Sequence, residues 1–589
     1  MQKKDGGNLL IFVLIGLLAF FLLKGTYSGQ VIRSTIHIND EEINIAPVDY
    51  GSQQNIVTIP PGPNVQLAPL PNFCQSPIAP GGIIITTPGF YRLCGGTINL
   101  PSPIRILADD VILDCAGTTL IGTPNYAFNG IEVLGDRVTI KDCKLKRFKD
   151  AIFIDKKDES KVLNSEIFEN INGIHLDGWY AEDNYNPQVW RGKNYEFSNN
   201  NIHHNQKDGI KVERTPAYWY SYATARIINN NINNNENGIH FIRSDEYTQI
   251  QNNMISSNTK NGIYLDAQPS IASGQPPGYG SNNAHIRFNT IQSNGENGLK
   301  IERSNPYVIY KNLFQNNAQN NILIKPDGSA NIVSNNILNS IDGIHVDTPN
   351  VAYPAPWYQD YAHIFVACNN IKFHSNSGVN YIHVGPNTYS SAYLWLNRIE
   401  NNNFGFYIDY AAGPSNMYEW ASMNEFKNNQ NGIYAISGGN RRFYHNNFIA
   451  NAIIHAYDMT TLGPDEWDYT YTWAPPSYTH GNYWDDYSGA PDPSNPGHYY
   501  GPRIIPPSGN QDDAPEINQV GIPPDPTLDC GDSSPPVLCG DGVINQFWEQ
   551  CDPPDMGTCA PGTCIHPGQP DECKCPLNNT APSPENPWE

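Results

Sequence analysis

Two short runs place the residue types of acid–base chemistry at strand spacing: His175-Leu176-Asp177 and Lys211-Val212-Glu213-Arg214. Residues two apart in an extended chain point to one face, so each run sets a proton carrier or a cation beside a carboxylate. Such a pair can take a proton α to a uronate carboxyl, and paired carboxylates can hydrolyse a glycosidic bond. His175, Asp177, Lys211, Glu213 and Arg214 are therefore the candidate catalytic residues. Lys300-Ile301-Glu302-Arg303 repeats the second run, and repeated alternation of opposite charge is equally what an inert sheet uses for cross-strand pairing. The residues leave both readings open.

The elements that must position these runs are repeats. Asn/Asp-Gly-Ile-x-Leu, or a close variant, recurs at Asn129, Asn172, Asp208, Asn237, Asn261, Asn297, Asp342 and Asn431. The glycine is expected to supply left-handed backbone at a turn, and the alternation after it to bury two side chains and expose one. Outward positions then form two ladders: Glu132, His175, Lys211, His240, Tyr264, Lys300 and His345, and beside them Asp177, Glu213, Asp266, Glu302 and Asp347. A second motif, Ile-x-x-Asn, ends at Asn205, Asn235, Asn258 and Asn294, whose amides are expected to stack at one corner. Repeats with closest copies roughly twenty to thirty residues apart suit a solenoid. The fold class expected is all-β: a right-handed parallel β-helix of about a dozen coils and three sheets, followed by a small disulfide-rich C-terminal module.

Long insertions leave after the Ile-x-Leu strands, from Asp177 to Tyr195, Glu213 to Ala225, Asp266 to Asn283, Asp347 to Ala362 and Asp458 to His480. Within them Trp179, Tyr180, Trp190, Trp219, Tyr220, Trp357, Tyr358, Trp467 and Trp473 are the candidate glycan-binding residues, because a flat apolar face among polar loops suits a pyranose ring. A self-packed shield or a protein interface would use the same aromatics.

Charged residues make up only 16% of the chain while Gly is abundant, which disfavours helical bundles and favours turn-rich β structure. A net charge of −23 without any Lys/Arg cluster excludes nucleic acid as a partner. Six Met and fifteen scattered His form no His-x-His or Met-rich cluster for a soft metal. His203-His204 is an adjacent pair, with one ring expected to face inward.

Lys3 and Lys4, the apolar run Leu9 to Leu23, Lys24 and the small-residue stretch after it read as an export signal. It is either cleaved or retained as an N-terminal membrane anchor, and the rest of the chain is expected to be extracellular or at the cell surface. Disulfides are then expected at Cys74, Cys94, Cys115 and Cys143 and at Cys530, Cys539, Cys551, Cys559, Cys564, Cys573 and Cys575. Cys115 and Cys143 end matching Ile-x-Asp-Cys runs and should stack one coil apart, bonded or simply buried. The layout is a signal or anchor (1–29), a strand- and Pro-rich segment (30–82), the β-helix (83–456), and an aromatic loop, closing motif and Pro-rich linker (457–529). A Cys-rich module (530–576) and a disordered tail (577–589) follow. Val31 to Asn44 alternates like a strand that caps the solenoid's open end or pairs with a neighbouring subunit.

The runs Tyr91-Arg92-Leu93-Cys94, Ala108 to Gly117 and Gly481-Asn482-Tyr483-Trp484-Asp485-Asp486-Tyr487-Ser488-Gly489 resemble right-handed β-helix families, most closely the NosD-like and archaeal surface-protein branch. The resemblance implies the fold; its members include polysaccharide lyases, hydrolases and epimerases, a maturation factor for copper enzymes, and surface proteins. Cys539-Gly540-Asp541-Gly542-Val543-Ile544-Asn545 followed by Glu549-Gln550-Cys551-Asp552 resembles a small Cys-rich extracellular repeat. That likeness implies calcium at Asp541, Asn545, Glu549 and Asp552, although disulfide-fixed turns use the same residues without the ion and Pro553-Pro554 departs from the usual Asp-Gly. The leading expectation is an exported cell-surface β-helix that binds, or binds and processes, polysaccharide through aromatic loops. The alternatives are a structural subunit of an envelope layer or filament, built by self-assembly or with other envelope proteins, and a polysaccharide lyase, hydrolase or epimerase.

Overall fold

The computed structural model describes residues 82–519 apart from the stretches 179–193, 215–223, 243–247, 267–283, 349–360, 384–388, 411–416, 437–440, 460–466, 471–478 and 492–497 and shorter gaps. Two short antiparallel pairs are also described, Ile36–Ile38 with Glu41–Ile43 and Cys551–Asp552 with Met556–Gly557. Among the described residues no helix is long and apolar enough to cross a membrane; the segment 1–29 lies outside them.

Each coil lays down three strands. Sheet I begins with Ile83–Ile85, sheet II with Gly89–Arg92 and sheet III with Thr97–Asn99, and successive coils extend them into parallel sheets of 15, 14 and 15 strands. This is the right-handed parallel β-helix, a few coils longer than the repeat count gave. Many strands are only three residues long, with the middle side chain inward, as in Asn201–His203 and Asn231–Asn233. Stacking in register turns those side chains into columns: Ile174, Ile210, Ile239, Ile263 and Leu299 follow one another in sheet I, all fully buried. Burying each contributes about 1.5–3 kcal/mol relative to exposure, and a coil gains it only by stacking on its neighbours.

Sheets II and III meet at a tight corner of one left-handed residue and one buried asparagine, as at Asn229-Asn230 and Asn252-Asn253. The left-handed residue costs on the order of 1 kcal/mol. In return, Asn230 donates Nδ2 to the Phe197 carbonyl of the preceding coil and to Asn253 Oδ1, which also accepts the Asn230 N–H. Eleven asparagines from Asn200 to Asn482 continue this column without a break. A second column stands at the III–I corner, through Asn170, Asn205, Asn235, Asn258, Asn294 and Asn317 and again from Asn402 to Asn451. The amides thus stack at two corners where the sequence indicated one.

The repeat glycines have a different reason from the one expected. None of those at the Asn/Asp-Gly-Ile positions has a positive φ. A Cβ on Gly173 would stand 2.3 Å from the Gly209 carbonyl oxygen and 2.9 Å from Ile202 Cγ2, so close coil stacking requires glycine there. Left-handed backbone is carried instead by Asn, Ser and other residues just before the column asparagines.

Both ends of the II–III column are closed. At the start Cys115 and Cys143 form a disulfide, and the Cys143 N–H reaches Ser165 Oγ while the Ser165 N–H reaches Asn200 Oδ1. At the other end buried Asp512 accepts from the Asn482 backbone (2.8 Å), Asn482 Nδ2 (3.2 Å) and Trp484 Nε1 (2.8 Å). Trp484 stacks on Phe448 with ring centroids 4.3 Å apart, and Trp467 packs on Phe443.

Candidate functional site

The outward side chains of sheet I form one continuous line. In register it runs Arg105, Glu132, Phe153, His175, Lys211, His240, Tyr264, Lys300, Leu323, His345, Asn380, Tyr407, Tyr434 and Tyr457. The first ladder read from the sequence is therefore real, with Phe153 and Leu323 interposed. The second also aligns, Asp177 opposite Glu213 and Asp266 opposite Glu302, with Ile242 between Glu213 and Asp266.

His175 is oriented by a residue the sequence reading passed over. Its Nδ1 lies 3.1 Å from Asp150 Oδ2, while Asn172 donates to the other Asp150 oxygen at 2.7 Å. Its Nε2 lies 3.5 Å from Glu213 Oε2, an ion-pair contact rather than a hydrogen bond, and Glu213 is also paired with Lys211. Burial works against the imidazolium, but the two carboxylates outweigh it and raise the His175 pKa. The same contacts, His175 first, hold Glu213 down at about 2. Asp150 is buried yet kept ionised by His175 and Asn172. Two further coils repeat the device: His240 Nδ1 is 3.2 Å from Asp208 and His345 Nδ1 is 2.8 Å from Asp342. The available signal was Asp at the Asn position of the repeat, before glycine at Asp208 and Asp342 but before Ala151 at Asp150, followed by His on the outward position of the same or the next coil.

Tyr264 lies between two neighbours on the line. His240 stacks on it with ring centroids 4.7 Å apart, and Lys300 Nζ stands 4.3 Å from the ring centroid. Its hydroxyl donates to Glu302 at 2.9 Å, which Lys300 and Arg303 also contact. Burial and the Asp266 and Glu302 carboxylates hold the phenol protonated. Both Tyr264 faces are thus occupied, and further along Tyr407, Tyr434 and Tyr457 stack on one another in the same line.

Of the candidate catalytic residues, His175, Asp177, Lys211 and Glu213 share one patch, and Arg214 ends the strand that carries Lys211 and Glu213. Of the candidate glycan-binding aromatics, Trp179, Tyr180, Trp190, Trp219, Tyr220, Trp357, Tyr358 and Trp473 lie outside the described residues. Trp467 is fully buried against Phe443 and Trp484 and donates to Asp458 at 3.3 Å, so it closes the core and offers no sugar platform. Asp541, Asn545 and Glu549 lie outside the described residues, and Cys551–Asp552 is a short strand. Neither His203 nor His204 faces inward, contrary to expectation: His203 packs on Phe168 and its Nδ1 meets His204 Nδ1 at 2.8 Å on the surface. Outward positions of a three-residue strand and its left-handed neighbour leave no room in the core for either.

Comparison with known proteins addresses the same residues. A family model described as "Right handed beta helix region" matches 111–246, 183–336 and 217–392, and one described as "Periplasmic copper-binding protein (NosD)" matches 358–489. Three parallel sheets coil through these very residues. The chain is a NosD-like right-handed parallel β-helix protein. Among solved structures, this NosD-like protein is similar to the A-module of Azotobacter vinelandii mannuronan C-5 epimerase AlgE6, at 15% identity over 66% of this chain and 89% of that one, with a TM-score of 0.30. It is also similar to the catalytic domain of a GH87 alpha-1,3-glucanase (14% identity, 57% and 64% covered, TM-score 0.33) and to the periplasmic alginate epimerase AlgG (12%, 55% and 76%, 0.28). No curated protein matches.

The copper named in the family description finds no matching ligand set among the described residues of the NosD-like part. His374 is buried in the asparagine column with Nε2 on the Ile337 carbonyl, His363 is bonded to Ser391, and His445 contacts Glu516. Cys368 is in a disulfide. His455, Asp485 and Asp486 converge, but Asn451 donates to His455 Nδ1, leaving the ring proton on Nε2 facing Asp485 at 2.9 Å, and Arg503 occupies Asp486. Soft thiolate or thioether donors, which select Cu(I), are missing from that group.

Proposed function

We propose that this protein is exported and holds a polysaccharide chain along the outward line of sheet I. The observation that carries the reading is continuity: the line stays in register from Glu132 to Tyr457, rich in ionisable groups as far as His345 and in tyrosine beyond Asn380. Strands are spaced about 4.8 Å apart, comparable with one sugar unit, so a linear polymer laid along the axis meets a new side chain at each unit. Lys–Glu and His–Asp pairs hold hydrogen-bonding groups in fixed positions, and tyrosine rings add apolar contact. In this proposal Trp179, Trp219 and Trp357, in the aromatic loops that follow these strands in sequence, contact the sugar rings. Export is supported by the Cys115–Cys143 disulfide and the bonded state of Cys94 and Cys368, since such bonds persist in oxidising compartments. Calcium at Asp541, Asn545, Glu549 and Asp552 belongs to the same proposal.

The test is retention of the purified protein on a panel of neutral and acidic polysaccharides. Retention that falls about tenfold in a His175→Ala, Lys211→Ala double variant, as losing one to two kcal/mol of hydrogen bonding would give, supports the reading. No retention on any member, with self-association instead, sinks it in favour of the envelope subunit.

A catalytic reading has one specific observation behind it: of the three His–Asp pairs, His175 has a second carboxylate, Glu213, at its other ring nitrogen. Chain cleavage or epimerisation followed in the same panel, and lost in His175→Ala, would make this groove an active site.

A further inference from the structure

Cys368 lies at the II–III corner in left-handed backbone (φ 58°), directly before the column residue Asn369. It is fully buried and disulfide-bonded. Reach restricts its partner. Cys115 and Cys143 bond each other. Cys94 follows the first strand of sheet II and Cys368 the eleventh, on the order of 48 Å apart at about 4.8 Å per strand, whereas a disulfide holds its Cα atoms within about 7 Å. Cys74 stands eight residues before Gly82, at the start of the first coil, and eight extended residues span at most about 28 Å. The cysteines left are those from Cys530 to Cys575. The last strand of sheet II, Arg442–Tyr444, is three places beyond that of Cys368, roughly 14 Å. Cys530 follows Gln519 by eleven residues, a span of up to about 38 Å.

We infer that Cys368 is bonded to a cysteine of the 530–575 module, which docks on the II–III corner around it. A second observation locates the docking surface. Val333, Ala367 and Cys368 form a small buried cluster separate from the main core, edged by partly buried Tyr310, Phe365, Trp395 and Leu396. Past Cys368 the next two left-handed residues of this corner are Leu396 and Met423. Apolar side chains in that conformation gain no local hydrogen bond, so the two corners next to the cysteine offer apolar surface to the module. This corner is remote from sheet I, so the docked module clamps the solenoid wall and leaves the outward line open. Forming the bond oxidises two thiols to one disulfide, with two electrons and two protons passing to an incoming disulfide of the export compartment, which is reduced to two thiols.

Non-reducing digestion of the intact protein followed by mass spectrometry should find the Cys368 peptide joined to a peptide from 530–575. A Cys368 peptide that is free, joined to Cys74, or joined to a second copy of the chain overturns the inference. Cys368→Ser provides an independent reading: one additional thiol should titrate per denatured chain, and limited proteolysis between Gln519 and Cys530 should quicken severalfold. A variant with no new thiol and an unchanged cleavage rate contradicts it.

Discussion

Asp150 and His175 sit on neighbouring coils, with the buried carboxylate 3.1 Å from Nδ1 of the ring. The same relation recurs at Asp208 with His240 and at Asp342 with His345. The turn position of the repeat, where Asn is usual, therefore sets a carboxylate against an outward histidine wherever Asp replaces it, and at His175 that carboxylate helps to raise the pKa and so sets the charge state of the ring.

Glycan retention should follow that charge state. His175 is cationic below its raised pKa and neutral above it, so wild-type retention should hold between about pH 5 and 6.5 and decline at higher pH. Its stability contribution has the same sign, present below the unfolded value and lost as pH rises through the folded one. Asp150→Asn keeps an acceptor but removes the charge; the decline should move to lower pH and retention at pH 7 should drop several-fold. Retention measured across pH for both proteins checks this.

His374 should behave as a surrogate asparagine. Its Nε2 donates to the Ile337 carbonyl at 3.0 Å and its Nδ1 meets Ser340 at 2.9 Å, and burial lowers its pKa to about 4. The neutral ring stabilises the fold above the unfolded pKa, and that contribution is lost as pH falls from 6.5 towards 4. His374→Asn should fold with a stability loss under about 1 kcal/mol and a shallower acid limb, while His374→Ala should cost about 2–4 kcal/mol by orphaning column partners. Urea unfolding at pH 7 and pH 5 distinguishes the two.

Asp512 ends the longer asparagine column and satisfies three donors. Asp512→Ala should cost about 2–4 kcal/mol, opening the last coils before the rest. Hydrogen exchange at Asn446 and Asn482 should accelerate while that at Asn253 stays slow.

Glu516 adds a pH dependence at the same end. Burial, then the neighbouring Asp512 carboxylate, raises its pKa to about 8. The folded state therefore holds a proton that the unfolded chain has lost, and the cap is most stable below about pH 4.5 and weakens as pH rises through about 8. Glu516→Gln should flatten thermal stability between pH 6 and 8.5 and raise Tm at the upper end.

The solenoid was legible because its repeat fixes both the inward columns and the outward ladder: knowing Asn172-Gly173-Ile174-His175-Leu176 suffices to set His175 against Lys211. The reason for the glycines was not legible, since crowding by Gly209 and Ile202 is a contact between coils. Asp150 escaped for the same cause; its partner is a coil away, and sequence shows only a looser copy of the repeat. Trp467 looked like a loop aromatic because nothing local reveals that Phe443 and Trp484 wait across the last coil. The aromatic half of the line was hidden because Tyr407, Tyr434 and Tyr457 become neighbours only through register.

The most direct measurement is the affinity of one retained polysaccharide for three variants: Lys211→Ala and Tyr434→Ala, several coils apart on sheet I, and Lys161→Ala, which faces outward on sheet II opposite Glu196. A glycan lying along sheet I requires both sheet I variants to weaken binding about three- to tenfold, roughly 1 kcal/mol each, with Lys161→Ala unchanged. Equal weakening by all three, or by Lys161→Ala alone, would contradict the account.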